Sequence, residues 1–106
     1  MTKFLTTWRL NQTAMSPDIA EQGKAAEMWF AAIDKAMESG GLLEYGFFPD
    51  GVSGYTLFEG ETKDAFRGAT TYFPGIISDV REMIPYETGK EIIREMFKAQ
   101  MEAMKR

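Results

Sequence analysis

The sequence predicts one α+β domain in the order strand, helix, strand, strand, helix, strand, with a further helix at the C-terminal end. Three observations carry this. Side chains alternate between two faces along Lys3 to Leu10, which marks a strand. Pro49-Asp50-Gly51 separates two short apolar and aromatic runs, which marks a hairpin. Apolar residues recur three and four apart over Ile19 to Met37 and again over Ile92 to Met104, which marks two amphipathic helices.

The first strand places Phe4, Thr6, Trp8 and Leu10 on one face and Leu5, Thr7 and Arg9 on the other; its β-branched and aromatic residues suit a pleated surface. Asn11 to Met15 reads as a polar loop. Ser16-Pro17-Asp18 starts a helix. Ser16 is placed to cap free N–H groups, Pro17 takes the first helical position, where its missing donor is no loss, and Asp18 complements the dipole. The stripe expected to face a sheet is Ile19, Gly23, Ala26, Phe30, Ile33 and Met37, and Gly40-Gly41 ends the helix.

Leu42 to Phe48 and Val52 to Glu59 read as the paired strands of the hairpin, with proline presetting φ and glycine accepting a positive φ in the turn. Gly54 inside the third strand signals a bulge or a close backbone approach. Thr62 is expected to cap a short helix through Ala65, Phe66, Ala69 and Tyr72-Phe73, with Asp64 in its first turn. A fourth strand spans roughly Ser78 to Ile84 and stops at Pro85. Thr88 to Glu91 fits the capping-box spacing. The last helix then carries Ile92, Ile93, Met96, Phe97, Met101 and Met104 on one side, and Glu91, Arg94, Lys98, Glu102 and Arg106 on the other. Opposite charges three or four apart support it.

Two helix-crossed strand pairs of this kind place the crossover helices on one face of a single four-stranded antiparallel sheet, the ferredoxin-like βαββαβ arrangement. The 106 residues make one domain, 1-106. The other sheet face needs a cover. Both faces of the first strand and of Leu42 to Phe48 carry apolar or aromatic residues, and soluble monomers rarely expose a large apolar patch. A homodimer through that sheet face is the expected solution. The Met-rich C-terminal helix is adaptable apolar surface that either packs on its own sheet or reaches the partner.

Composition narrows the function. There are 12 Lys+Arg against 16 Asp+Glu, a formal net charge of −4, with the cations scattered among carboxylates. No basic stripe exists for a phosphate backbone or an anionic bilayer, so neither nucleic acid nor membrane is an expected partner. Cysteine is absent, which removes disulfides, thiolate nucleophiles and Cys-ligated metal. Histidine is absent too, which removes the commonest general base and metal ligand. No cofactor or metal is expected. No apolar run is long enough to span a bilayer, the first residues lack the pattern of a secretory signal, and a cytoplasmic location is the expectation.

Several features together resemble a known family: Thr7-Trp8 towards the end of the first strand, a long helix, the Gly40-Gly41 break, a hairpin, and the acidic turn Glu59-Gly60-Glu61. The chain is similar to the dimeric α/β-barrel superfamily, nearest to short members of unknown function. The resemblance implies two ferredoxin-like sheets facing each other, with a small organic ligand often held between sheet and helices. Members include cofactor-independent mono-oxygenases, haem-degrading enzymes, lactone isomerases and stress-induced proteins. Fold does not transfer chemistry, and the missing histidine separates this chain from the haem-binding members. Their asparagine and tryptophan are not matched to Asn11 or Trp8, so the resemblance extends to the fold only.

Five residues are the candidates for lining a ligand pocket: Trp8, Arg9, Tyr45, Tyr55 and Asp79. Trp8 either walls a pocket with its indole N–H as donor or is a core residue. Arg9, on the opposite face, either holds a carboxylate or enolate oxygen or pairs with Glu44, Asp79 or Glu82. Asp79 shares a face with Arg81 and either serves as a general base or protects a strand edge by charge. Tyr45, Tyr55 and Tyr72 offer phenols around a small aromatic molecule. Glu59, Glu61 and Asp64 are explained by a helix N-terminus rather than by a metal. The expected function is a small dimeric domain that binds an apolar or aromatic molecule between sheet and helices. A non-enzymatic interaction module and a cofactor-independent mono-oxygenase or isomerase stand as alternatives.

Overall fold

The structure, a computed structural model, describes residues 2–105. Arg106, which the sequence places on the polar side of the last helix, lies outside them. The elements are β1 (Thr2–Leu10), α1 (Ile19–Glu38), β2 (Leu42–Phe47), β3 (Ser53–Gly60), α2 (Thr62–Thr71), β4 (Ile76–Met83) and α3 (Tyr86–Met104), with a 3-10 turn at Gln12–Ala14. The strands form one antiparallel sheet in the order β2-β3-β1-β4. This is the ferredoxin-like arrangement with an added C-terminal helix, and β1 and β3 are its central strands.

The register decides what each face carries. Trp8 sits opposite Gly54 and Ser78, Thr6 opposite Thr56 and Val80, and Phe4 opposite Phe58 and Glu82. Phe4, Thr6 and Trp8 are buried under α1 and α2, as period-two alternation requires, while Lys3, Thr7 and Arg9 are exposed on the open face. Gly54 permits the tight layer over it. A Cβ there would collide with the Gly46 carbonyl and the Trp8 ring, so the glycine marks a close approach. The register irregularity lies instead in β2, between Leu42 and Glu44.

Local signals set most boundaries, with four adjustments. The α1 N-cap is Asp18, not Ser16: Asp18 is extended and its carboxylate accepts from the Ala20 N–H at 2.9 Å. Ser16 is drawn away to accept from the Asp18 N–H at 3.2 Å. The α2 cap is Glu61, not Thr62, because Glu61 and Asp64 form a reciprocal capping box in which Asp64 accepts from the Glu61 N–H at 3.0 Å. That helix stops at Thr71, short of Tyr72-Phe73. α3 starts at Tyr86, directly after Pro85 with its φ of −57° and extended ψ of 146°, so Thr88 lies inside the first turn and caps nothing.

The stripe of α1 that packs is also turned from the expected one. Gln22, Ala26, Trp29, Ile33 and Ala36 are the half-buried positions, whereas Phe30 and Met37 are exposed and Ile19 is 81% exposed. The hairpin turn is as read: Asp50 accepts from the Val52 and Ser53 N–H groups at 2.9 and 3.0 Å and from the Ser53 hydroxyl at 2.6 Å, and Gly51 has φ 77°. Hydrogen bonding from Ser53 and then Val52 holds the Asp50 carboxyl below its ordinary range.

α3 makes no extended contact with any other element among the described residues. The molecule measures 70 × 30 × 25 Å with a radius of gyration of 19.1 Å, where a compact chain of this length has about 13 Å. No described helix is long and apolar enough to cross a membrane.

Candidate functional site

Between the covered sheet face and the two crossover helices lies an open cavity of about 300 Å³, at the lower end of the range for ligand sites. It exists because α2 and α1 present small residues there. Ala65, Gly68 and Ala69 line it from α2, and Ala32 and Ala36 from α1. Large side chains from the sheet and from Trp29 form its walls.

Aromatic rings dominate one end. Trp8 meets Trp29 edge-on at 5.0 Å between centroids and stacks on Tyr45 at 5.5 Å, and Phe47 closes the group edge-on to Trp8 at 5.7 Å. Edge-to-face and offset contacts of this kind are the favourable geometries for quadrupolar rings. Tyr72 and Phe58 line the cavity further along.

The lining is neutral. Burial pushes the Tyr45 phenol well above the ordinary tyrosine range, and neighbouring Tyr72 adds to the effect. Tyr45 is therefore a donor that keeps its proton. No lysine or arginine lines the cavity among the described residues, and Asp64, the one carboxylate there, is engaged in the α2 capping box. Trp8 is only 4% exposed, yet its Nε1–H has no hydrogen-bond partner among the described residues. An unpartnered buried donor of this sort costs about 1–3 kcal/mol.

The five sequence candidates divide between the two faces. Trp8 and Tyr45 meet in the cavity. Arg9, Tyr55 and Asp79 lie on the open face, as their register partners Ser53, Thr7 and Thr7 show. Within one chain they cannot converge with Trp8 and Tyr45 on one ligand, because adjacent strand residues point to opposite sides. Arg9 and Asp79 border a shallow depression with Phe48 and Ile77. Asp79 pairs with Arg81 at 3.4 Å, on the same face and on the edge strand, with both side chains solvated. Arg9 forms no ion pair among the described residues, with Glu44, Asp79, Glu82 or any other acid. The Tyr55 phenol is raised by desolvation and then by the Glu44 carboxylate beside it.

Sequence reading missed Trp29, which belongs to the ring cluster. The signal was present: Gln22, Ala26, Trp29, Ile33 and Ala36 also follow three-four spacing. The rival stripe of Ile19, Phe30 and Met37 is the more apolar of the two, and hydropathy alone favours it. No group of three metal-ligating side chains converges among the described residues. The acidic cluster is accounted for by the α2 capping box and by the Lys63–Glu61 pair at 3.3 Å. Compared with family models, curated proteins and solved structures, the chain matches none.

Proposed function

We propose that the chain binds a small, uncharged aromatic or apolar molecule in the cavity between the sheet and α1/α2, and that it works as a homodimer in which the open sheet face is covered. One observation carries the ligand reading: an aromatic-walled opening of about 300 Å³ with a neutral lining. Rings at this spacing suit a planar guest. A charged guest would be desolvated without a counter-ion, at a cost of several kcal/mol. Catalysis such as cofactor-independent oxygenation or isomerisation has weaker support, since the lining carboxylate is already committed to a helix cap. An interaction module is the second reading, favoured by the exposed apolar face of α3.

The test uses 1-naphthol and its anionic analogue 1-naphthoate as probes of tryptophan fluorescence. The neutral probe should bind at least about tenfold more tightly, given that several-kcal/mol penalty. Gly68→Leu should abolish binding without harming the fold. A Cβ at Gly68 meets nothing within 4 Å, and removing a helical glycine stabilises by up to about 1 kcal/mol. Equal affinity for both probes, or undiminished binding by Gly68→Leu, would count against the cavity.

A further inference from the structure

We infer that α3 is an exchanged arm whose apolar half-face docks on the open sheet face of a second copy of this chain. This rests on the homodimer reading and specifies which surfaces make it.

α3 is strongly two-sided. Ile92, Ile93, Met96, Phe97, Met101 and Met104 fall on one half of its circumference, and Glu87, Glu91, Arg94, Lys98 and Glu102 on the other. None of the six apolar residues is covered. Ile92 and Ile93 are each 54% exposed, Met101 62% and Met104 85%. A helix with this pattern gains most of its stability from packing that face against something.

The amount of bare surface points to a copy of the chain itself. The accessible surface is 8303 Å², where a compact monomer of this mass exposes roughly 6000 Å². The excess, about 2300 Å² per chain, matches the share that one subunit hides in an obligate homodimer, whose interfaces bury about 2000–5000 Å² over both partners. Few residues are buried within one chain: Phe4, Thr6, Trp8, Gly54, Gly60 and Ala65 among the described residues.

The same chain also supplies a matching receptor. The open sheet face has an incompletely covered apolar centre at Leu5, Tyr55, Leu57 and Ile77, ringed by Lys3, Glu59, Asp79 and Arg81. At about 1.5 Å per residue, the 19 residues of α3 reach roughly 28 Å. The eight- and nine-residue strands beneath span about the same at 3.3 Å per residue. Two copies related by a two-fold axis can therefore cover each other's sheet with each other's arm, so that both bare surfaces vanish together in a closed, isologous contact. Pro85, where β4 gives way to α3, is the pivot.

Light scattering of the full chain should give twice 12.0 kDa. Ile93→Asp/Phe97→Asp should give a monomer that keeps the tryptophan fluorescence of the Trp8–Trp29 cluster, because α3 does not touch it. The chain has no cysteine, so a Leu57→Cys/Phe97→Cys double variant reports the contact even if the aspartate variant does not fold. Oxidised, it should run as a covalent dimer. A compact monomer with an intrachain disulfide would overturn the homodimer and the arm together. A dimer that survives the aspartate pair, or that fails to cross-link between chains, would overturn the arm and leave a homodimer built from other surfaces.

Discussion

α1 and α3 are near equals in the sequence and opposites in the structure. They have 20 and 19 residues, and each carries an apolar stripe and a charged back. α1 lies on the sheet and contributes Trp29 to a ring cluster with Trp8, Tyr45 and Phe47. α3 leaves the body and keeps its stripe in the open. The contrast teaches that amphipathicity states that a face must be covered, but says nothing of what covers it. α1 sits between two strands of one sheet, and a right-handed crossover lays it on that sheet. α3 is not a crossover between two strands of the sheet, so that rule does not place it.

The largest effect that would break the packed half of this comparison comes from Gly54→Val. With the Gly46 carbonyl and the Trp8 ring both in the path of a Cβ, the sheet and the ring cluster cannot both persist. Overpacking of a tight layer typically costs about 1–3 kcal/mol and occasionally more, and this backbone clash belongs at or beyond the upper end. Chemical denaturation of the variant should show a large fall in midpoint. A native-like midpoint would mean that β3 does not approach β2 and Trp8 as closely as described.

A moderate effect separates the two sides of α1. Trp29→Ala removes a half-buried ring from four aromatic neighbours and should destabilise by about 2–4 kcal/mol, at any protein concentration. Phe30→Ala, one residue on and exposed, should change stability by less than about 1 kcal/mol. Reversal of that order would restore the stripe that hydropathy favours.

The smallest effect is a pH dependence. Tyr45 has its folded-state pKa raised above the ordinary 10.0, so the unfolded chain loses that proton first as pH rises. The folded state binds more protons over this interval, and stability present below about pH 10 declines above it. Tyr45→Phe should flatten the alkaline limb of a stability–pH curve and leave the neutral plateau nearly unchanged. An unaltered alkaline slope would mean that the phenol is not buried against Tyr72.

Much of this fold was legible before any coordinates. Alternation along Lys3 to Leu10 assigned Phe4, Thr6 and Trp8 to one face, and the Pro49-Asp50-Gly51 turn fixed the hairpin, because both are rules about neighbouring residues. The caps at Asp18 and Glu61 were each misplaced by one or two positions. Serine, threonine and acidic side chains compete for the same orphan N–H groups, and the winner depends on local backbone angles. The grouping of the five candidates was half legible: Trp8 and Tyr45 lie together at the cavity, while Arg9, Tyr55 and Asp79 lie on the other side of the sheet.

What the residues determined unaided was the order of elements, the turn chemistry, the neutral-pH charge and the absence of thiol and imidazole chemistry, all of which follow from composition or from contacts a few positions apart. Tertiary structure alone decided that Trp29 rather than Phe30 turns inward, that small residues on α2 leave an opening above the rings, and that α3 stands apart from its own body. Those outcomes depend on which distant surfaces meet and how much room they leave, and periodicity along one chain carries no record of either.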